Sequence, residues 1–446
     1  MAHRLFGTDG VRGKAGEFPL DRETVARIGA ALAQAMRAPG RRLRFIVGRD
    51  TRESGEAIER ALARGTRSEG AEITTAGILP TPAIAYITRA MKFDAGIVIS
   101  ASHNPFQDNG IKVFSGGGEK VTETLERRVE SLVADGTWSV PPDDDLALER
   151  TDVADAYLAH ARLALSNPER LAGLKIAVDT ANGATTHVAP RLFRELDFDV
   201  ELINAFPDGR NINLECGSTH PENLSRVVVE RKCRIGVAFD GDGDRAILVD
   251  ASGRIVDGDA VMLMCARHLK NVSRLTGNAV VATVMSNIGL ELGLRESGIE
   301  IIRCPVGDKY VMEEMSKRGL ALGGEQSGHI IFSDHLFTGD GIVTALSVLG
   351  VMADTGRDLA DLASELVVYP QVLLNVRVRE KRDLQTVAPI VEVMQRVEER
   401  LSGQGRLLVR YSGTEPLLRV MIEGKDRRLI QEWAAEIGST VRNHLG

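Results

Sequence analysis

A serine and a trio of aspartates, far apart in a chain of 446 residues, each follow an apolar run that ends in a polar loop. Ala95-Gly96-Ile97-Val98-Ile99 leads into Ser100-Ala101-Ser102-His103-Asn104-Pro105, and Ile235-Gly236-Val237-Ala238-Phe239 leads into Asp240-Gly241-Asp242-Gly243-Asp244-Arg245. Loops at the ends of buried strands line the clefts of α/β sheets. Carboxylates at alternate positions with glycine between them let hard oxygen donors converge on one Mg²⁺, so Asp240, Asp242 and Asp244 are metal-ligand candidates. An EF-hand is excluded, because Arg245 and Ala251 stand where that loop needs Gly and Glu. A phosphatase using Asp240 as its own nucleophile stays open, since that chemistry asks only for Asp-x-Asp after a strand. Ser102 fits a phosphoryl carrier, whose roughly −2 charge needs cations such as a metal and Lys112 on the next strand. Ser100, two residues away, is the rival serine.

Three further loops carry recognition chemistry. Gly323-Gly324-Glu325-Gln326-Ser327-Gly328-His329 places a carboxylate, a hydroxyl and an imidazole between glycines, a set suited to paired sugar hydroxyls. His329 also titrates near neutrality when unperturbed. Arg410-Tyr411-Ser412-Gly413-Thr414-Glu415-Pro416, with Arg419, offers a guanidinium fork, hydroxyls and backbone N–H groups to a phosphate dianion. Thr8-Asp9-Gly10-Val11-Arg12-Gly13 gives a weaker signal, with Arg12 either a phosphate contact or one half of an ion pair. No Walker A loop and no correctly flanked GxGxxG is found, which argues against ATP and NAD.

Elements that alternate between helix and strand carry these loops. Asp21 reads as the cap of a helix bearing Val25, Ile28 and Leu32, Arg44 to Val47 as a strand, and Ser54 as the next cap. Later stretches repeat the alternation, with strands at 174–178 and 279–284 and helices at 186–196, 261–269, 288–296 and 309–317. From Val367 the texture becomes strand, long helix over 384–401, strand, strand, helix. The expected domains are 1–150, 151–255, 256–367 and 368–446: three α/β sheet domains and a C-terminal α+β domain.

Hydrophobic residues make up 43% of the chain, enough for real cores, and 55 basic against 62 acidic residues leave a net charge of −7. That balance gives no footprint for nucleic acid or an anionic membrane. Ile342 to Ala353 is too short to span a bilayer. The N-terminus lacks a signal-peptide pattern, and Cys216, Cys233, Cys265 and Cys304 form no CxxC pair. Both features fit a cytoplasmic protein with free thiols.

Taken in order, Phe6 to Gly13, the Ser102 loop, the Asp240 loop, Gly324 to His329 and Arg410 to Pro416 resemble the α-D-phosphohexomutase superfamily along the whole chain. Gln326 resembles its glucosamine branch. The resemblance implies three related α/β sheet domains and a C-terminal α+β (TATA-binding-protein-like) domain around a central cleft. It implies interconversion of glucosamine 6-phosphate and glucosamine 1-phosphate through a 1,6-bisphosphate, feeding UDP-N-acetylglucosamine and cell-wall synthesis. A glucose or mannose phosphate specificity is the alternative. Ser102 would be active as phosphoserine, with one Mg²⁺ between it and Asp240, Asp242 and Asp244. Lys309, Glu325 and Ser327 would bind the sugar phosphate, and Arg410, Ser412, Gly413, Thr414 and Arg419 would hold the phosphate not being transferred. Arg12, Lys112 and Arg245 would supply charge, and Lys112 and His329 are the candidates for proton transfer. The expected partner is a small amino-sugar phosphate, with no nucleic acid and no membrane, and a homodimer is left open.

Overall fold

The structure, a computed structural model, describes residues 5–7, 9–37, 40–142, 147–412 and 415–446. Its contacts form two compact units, Met1–Met285 with Ile301–Ser364, and Ser286–Glu300 with Glu365–Gly446.

The first unit holds three sheets. The first contains β1 (Phe6–Gly7), β2 (Gly10–Lys14), β3 (Arg44–Arg49), β4 (Glu72–Ile78), β5 (Ala95–Ile99) and β6 (Asp108–Ser115), in the order β1-β2-β6-β5-β3-β4. The second contains β7 (Lys175–Asp179), β8 (Asp199–Ile203), β9 (Ile235–Phe239), β10 (Ala246–Asp250) and β11 (Ile255–Val256), in the order β11-β10-β9-β7-β8. The third contains β12 (Ala279–Thr283), β13 (Glu300–Cys304), β14 (Leu322–Gly324) and β15 (Ile330–Phe332), in the order β13-β12-β14-β15.

One pattern recurs. The strands β3 to β6, β7 to β10 and β12 to β15 each lie in the order fourth, third, first, second. The first and third strands run parallel, and the third and fourth run antiparallel. The Ser102 loop, the acidic loop and the Glu325–His329 loop are therefore equivalent: each joins the third strand of its sheet to the fourth. β5 and β9, continuously apolar, and β12, apolar up to Thr283, are buried along their whole length, as strands covered on both faces must be.

Helix caps fix the flanks. Asp21 accepts the N–H of Thr24 at 3.0 Å and opens the helix Arg22–Met36, whose Val25, Ile28 and Leu32 are fully buried. Ser54 corrects its expectation: it precedes the helix Gly55–Ser68 without capping it, and its hydroxyl accepts from Asn109 at 2.9 Å. The helix expected over 186–196 starts only at Val188, and the one over 384–401 divides into a turn, Leu384–Thr386, and a helix, Ala388–Leu401. Pro389, which has no N–H to donate, sits in the first turn of that helix. The helix Ala154–Arg162 had no counterpart in the sequence reading.

The second unit is an antiparallel sheet of β16 (Gln371–Arg377), β17 (Arg406–Tyr411) and β18 (Leu417–Glu423), in the order β16-β18-β17. The helices Ala388–Leu401 and Arg427–Leu445 bury Val393, Val397, Ile437 and Val441 in its core with Val420 and Ile422. Among the described residues, no helix is long and apolar enough to cross a membrane.

Candidate active site

Ser102 is buried at the β5–β6 turn in the left-handed region, φ 52°, and its hydroxyl donates to Asp240 Oδ2 at 2.5 Å. Two supports hold that conformation. The Ser102 N–H donates to Ser100 Oγ at 2.9 Å, and Ser100 Oγ donates to Asp50 Oδ2 at 2.5 Å. Ser100 is thus fully buried and holds its neighbour's backbone in place. The Arg52 side chain, with no solvent exposure, pairs with Asp50 at 2.9 Å and donates to the carbonyls of Ser102, Asn104 and Asp108 at 2.9, 2.9 and 3.0 Å, and to that of Pro105. One buried guanidinium therefore gathers the carbonyls of the whole loop.

From the second lobe, the acidic loop meets this turn closely. A Cβ on Gly241 would lie 2.5 Å from the Ser102 carbonyl oxygen and 2.7 Å from Asn213 Nδ2, so only glycine allows the approach. Asn213 donates to the same Ser102 carbonyl at 2.8 Å. Asp242 Oδ2 accepts from Thr81 Oγ1 at 2.5 Å and from Lys112 at 2.8 Å, and Lys112 also reaches Asp244 Oδ2 at 3.2 Å and Asp9 at 3.0 Å.

The three aspartates are buried, and one carboxylate oxygen of each lies within 4.8 Å of the others. Asp242 Oδ1 and Asp244 Oδ1 are buried without a hydrogen-bond partner among the described residues. Burial and the charges of Asp244 and Asp242 push Asp240 well above the ordinary carboxylate range. Crowded carboxylates with orphaned oxygens fit a hard divalent cation, which would relieve the repulsion and take the open lone pairs.

The other charges are set by neighbours. Burial opposes the Lys112 ammonium, but Asp242, Asp9 and Asp244 outweigh it and hold the group well above its usual range. Burial likewise opposes the His329 imidazolium, yet Asp244 and Asp308 raise it; Nδ1 stands 3.5 Å from Asp244. Gly339 lies against that ring, where a Cβ would come within 2.4 Å of it. His103 goes the other way: burial and the charges of Arg245 and Arg12 lower it, and its Nδ1 lies 3.4 Å from Ser102 Oγ. Arg245 folds back so that its N–H donates to Asp240 Oδ1 at 3.1 Å, and Arg12 pairs with Asp9 and reaches the Ala101 carbonyl at 3.4 Å.

In the third lobe, Glu325 Oε1 accepts the N–H of Gly307 at 3.0 Å and Oε2 accepts from the exposed Ser327 at 3.2 Å. Gln326 donates to Asp257 Oδ2 at 3.0 Å, anchoring the loop to the cap of the helix Gly258–Asn271. Lys309 lies one residue into the helix Asp308–Arg318.

Arg410, Ser412 and Arg419 belong to the second unit. Arg410 and Arg419 face each other across β17 and β18, like charges that an anion would relieve. Arg419 reaches Ser412 Oγ at 3.4 Å, and Lys381 donates to the Ser412 carbonyl at 2.6 Å. Gly413 and Thr414, and Thr8 of the first motif, lie outside the described residues.

The structure thus brings Ser102, Arg12, Lys112, Asp240, Asp242, Asp244, Arg245 and His329 into one cluster. Sequence reading missed Asp50, Arg52, Thr81, Asn213, Asp9, Lys120 and Asp308 as parts of it. Asp50 and Arg52 left one visible signal, an Asp-x-Arg at the end of an apolar strand. Thr81 and Asn213 left none.

Three repeated α/β lobes, whose equivalent loops supply a buried serine, a carboxylate trio and the Glu325–His329 loop, have the arrangement of a hexose-phosphate mutase. The family models agree over nearly the whole chain. They match phosphoglucomutase/phosphomannomutase alpha/beta/alpha domain I at residues 3–139, domain II at 155–253, domain III at 257–369 and the C-terminal domain at 373–439. The chain belongs to the phosphoglucomutase/phosphomannomutase family, and it is a phosphotransferase-type isomerase. It is 46% identical to the phosphoglucosamine mutase of Solibacter usitatus, covering 100% of both chains, and 46% identical to that of Geotalea uraniireducens, covering 99% and 98%. Among solved structures, a phosphoglucomutase/phosphomannomutase family protein from Burkholderia thailandensis matches with a TM-score of 0.81 at 25% identity, over 99% of this chain and 98% of that one. An Aspergillus fumigatus N-acetylphosphoglucosamine mutase, in complex with GlcNAc-6P and magnesium, shares the fold at a TM-score of 0.64 and 17% identity, over 98% and 95%.

Proposed function

We propose that this enzyme interconverts glucosamine 6-phosphate and glucosamine 1-phosphate, with Ser102 carrying the phosphoryl group. The observation that carries the reading is the 2.5 Å hydrogen bond from Ser102 to Asp240, which joins the serine to the acidic loop. Full-length relatives named phosphoglucosamine mutase support the choice of substrate.

Asp240, Asp242 and Asp244 would hold Mg²⁺ beside Ser102. When bound, the ion supplies positive charge against the phosphoryl oxygens. The chain's own residues do the rest. In the forward direction the bond between Ser102 Oγ and phosphorus breaks as the sugar hydroxyl oxygen bonds to phosphorus; the hydroxyl gives up its proton and Ser102 Oγ takes one, with Lys112 and His329 the candidates to carry these two protons. The product is a 1,6-bisphosphate; after it turns over, its other phosphoryl group returns to Ser102. Lys112, Arg12 and Arg245 stabilise the charge on the moving group. Lys112, surrounded by three carboxylates, stays charged and acts as cation or proton donor. Glu325 and Ser327 take sugar hydroxyls, Lys309 assists them, and Arg410, Ser412, Gly413, Thr414 and Arg419 hold the phosphate that stays.

Against the phosphatase reading, in which Asp240 is the nucleophile, stand the full-length relatives named phosphoglucosamine mutase. Comparing turnover of glucosamine, glucose and mannose 6-phosphates by purified enzyme tests the substrate. Preference for glucosamine 6-phosphate is expected, and preference for either of the others would overturn it.

A further inference from the structure

The lobes of the first unit meet in a closed circuit of alternating charge. Lys112 lies 3.0 Å from Asp9, and Asp9 also takes Lys120, which in turn reaches Asp308. Asp308 stands 3.9 Å from His329 Nε2, His329 Nδ1 stands 3.5 Å from Asp244, and Asp244 lies 3.2 Å from Lys112. Lys120 is a cation of the circuit to which the mechanism above gives no role. It sits after β6, before the helix Glu123–Ala134, with its side chain only 15% exposed. It forms part of the wall of a cavity of about 440 Å³, lined from the first lobe by Asp9, Lys112 and Val121 and from the third by Lys309, Met312 and Phe337. Beside this cavity the Asp9–Lys120–Asp308 bridge joins the first lobe to the third.

We propose that Lys120 is a positioning residue whose ammonium registers the third lobe, bearing Asp308, Lys309 and His329, against the first lobe, bearing Asp9, Arg12 and Lys112. The inference rests on the mutase reading and deepens it. An ammonium shared between two carboxylates attracts both strongly where water is excluded, and its removal turns attraction into repulsion. Asp9 keeps Lys112 and Arg12 when Lys120 is lost. Asp308 keeps the N–H of Lys309 at 2.7 Å and the distant His329, so the loss is transmitted to the third lobe through Asp308.

The test is a double-mutant cycle of Lys120→Met with Asp308→Asn, read in kcat and KM, alongside Lys120→Arg and the Tm of each protein. The substrate is glucosamine 6-phosphate, or whichever hexose phosphate the wild-type enzyme turns over. Lys120→Met is expected to lower kcat about 10–100-fold with a much smaller change in KM, as misplaced catalytic groups do. Lys120→Arg should restore kcat to within about threefold of wild type, and the double variant should be no worse than Lys120→Met alone. Additive losses, or a Lys120→Met variant whose folded fraction keeps its kcat while only Tm falls, would overturn the inference and leave the mutase reading intact. A wild-type enzyme inactive on every hexose phosphate would overturn both. Should Lys120→Met not fold, Lys120→Gln gives the same readout.

Discussion

Ser102 and Asp240 are 138 residues apart in the chain, and the hydroxyl of one donates to the carboxylate of the other at 2.5 Å. Replacing each side chain separately tests what that bond is for. Ser102→Ala is expected to abolish mutase turnover, a loss of at least about 10³-fold, because no group is left to carry phosphate. A phosphatase would lose its activity with Asp240→Asn and keep it with Ser102→Ala. A coupled assay on both variants separates the two schemes.

Gly241 sets the distance between the loops. Gly241→Ala would bring a methyl to 2.5 Å from the Ser102 carbonyl oxygen, which is backbone and yields little. A stability loss of about 1–3 kcal/mol is expected from overpacking, together with a fall in kcat as Ser102 moves off Asp240. Urea unfolding and steady-state kinetics on the same preparation measure both.

Arg52 shows the cost of leaving a buried charge alone. In Arg52→Met the Asp50 carboxylate stays fully buried without its cation, and four loop carbonyls each lose one donor. A destabilisation of about 3–5 kcal/mol is expected. Arg52→Lys should recover only part of it, since one ammonium lacks the reach of the planar fork. Chemical denaturation of the three proteins gives the ranking.

Metal dependence should appear in stability as well as in turnover. If the aspartates hold Mg²⁺, its addition relieves their mutual repulsion and raises Tm with concentration, as binding to the native state requires. Asp242→Asn is expected to abolish most of that rise. A thermal melt over a Mg²⁺ titration, with EDTA as the reference, reads it directly.

Acid sensitivity has an identifiable source outside the site. Burial, then the charges of His335 and Arg89, push His160 down from 6.5 to about 4, while its ring stacks on Tyr86 with centroids 4.0 Å apart. The unfolded chain therefore binds this proton first, so the histidine's contribution is complete above pH 6.5 and is lost as pH falls towards 4. Asp340, raised to about 6 by burial, runs the opposite way in the same window. The difference in Tm between wild type and His160→Gln, followed from pH 7 to pH 4, isolates the imidazole: the gap should narrow or reverse as pH drops.

Much of this molecule is legible in its sequence because the loops that matter follow strands of unbroken hydrophobicity. Ala95–Ile99 and Ile235–Phe239 announce buried strands, and a polar loop after such a strand has only the sheet end to occupy. Asp21 caps its helix as its type suggests, whereas Ser54, of an equally good capping type, does not. What was not legible depends on packing across the lobes. Ser100 and Ser102 are equivalent by type, and only the folded chain shows that Ser100 pairs with Asp50 and Ser102 with Asp240 of the acidic loop. Thr81 becomes part of the acidic loop's setting only because a separate lobe folds against it. The repeated strand order of the three sheets leaves too little sequence likeness to detect, since a topology constrains where apolar residues fall and leaves their identities free.

The central claim is that Ser102 carries phosphate, and peptide mapping of the purified protein by mass spectrometry tests it most directly. A gain of about 80 Da, one phosphoryl group, is expected on the tryptic peptide containing Ser102, localised to that serine and transferred to sugar when substrate is added. Phosphate on Asp240, or a Ser102 peptide that stays unmodified after incubation with hexose 1,6-bisphosphate while the enzyme turns over, would contradict it.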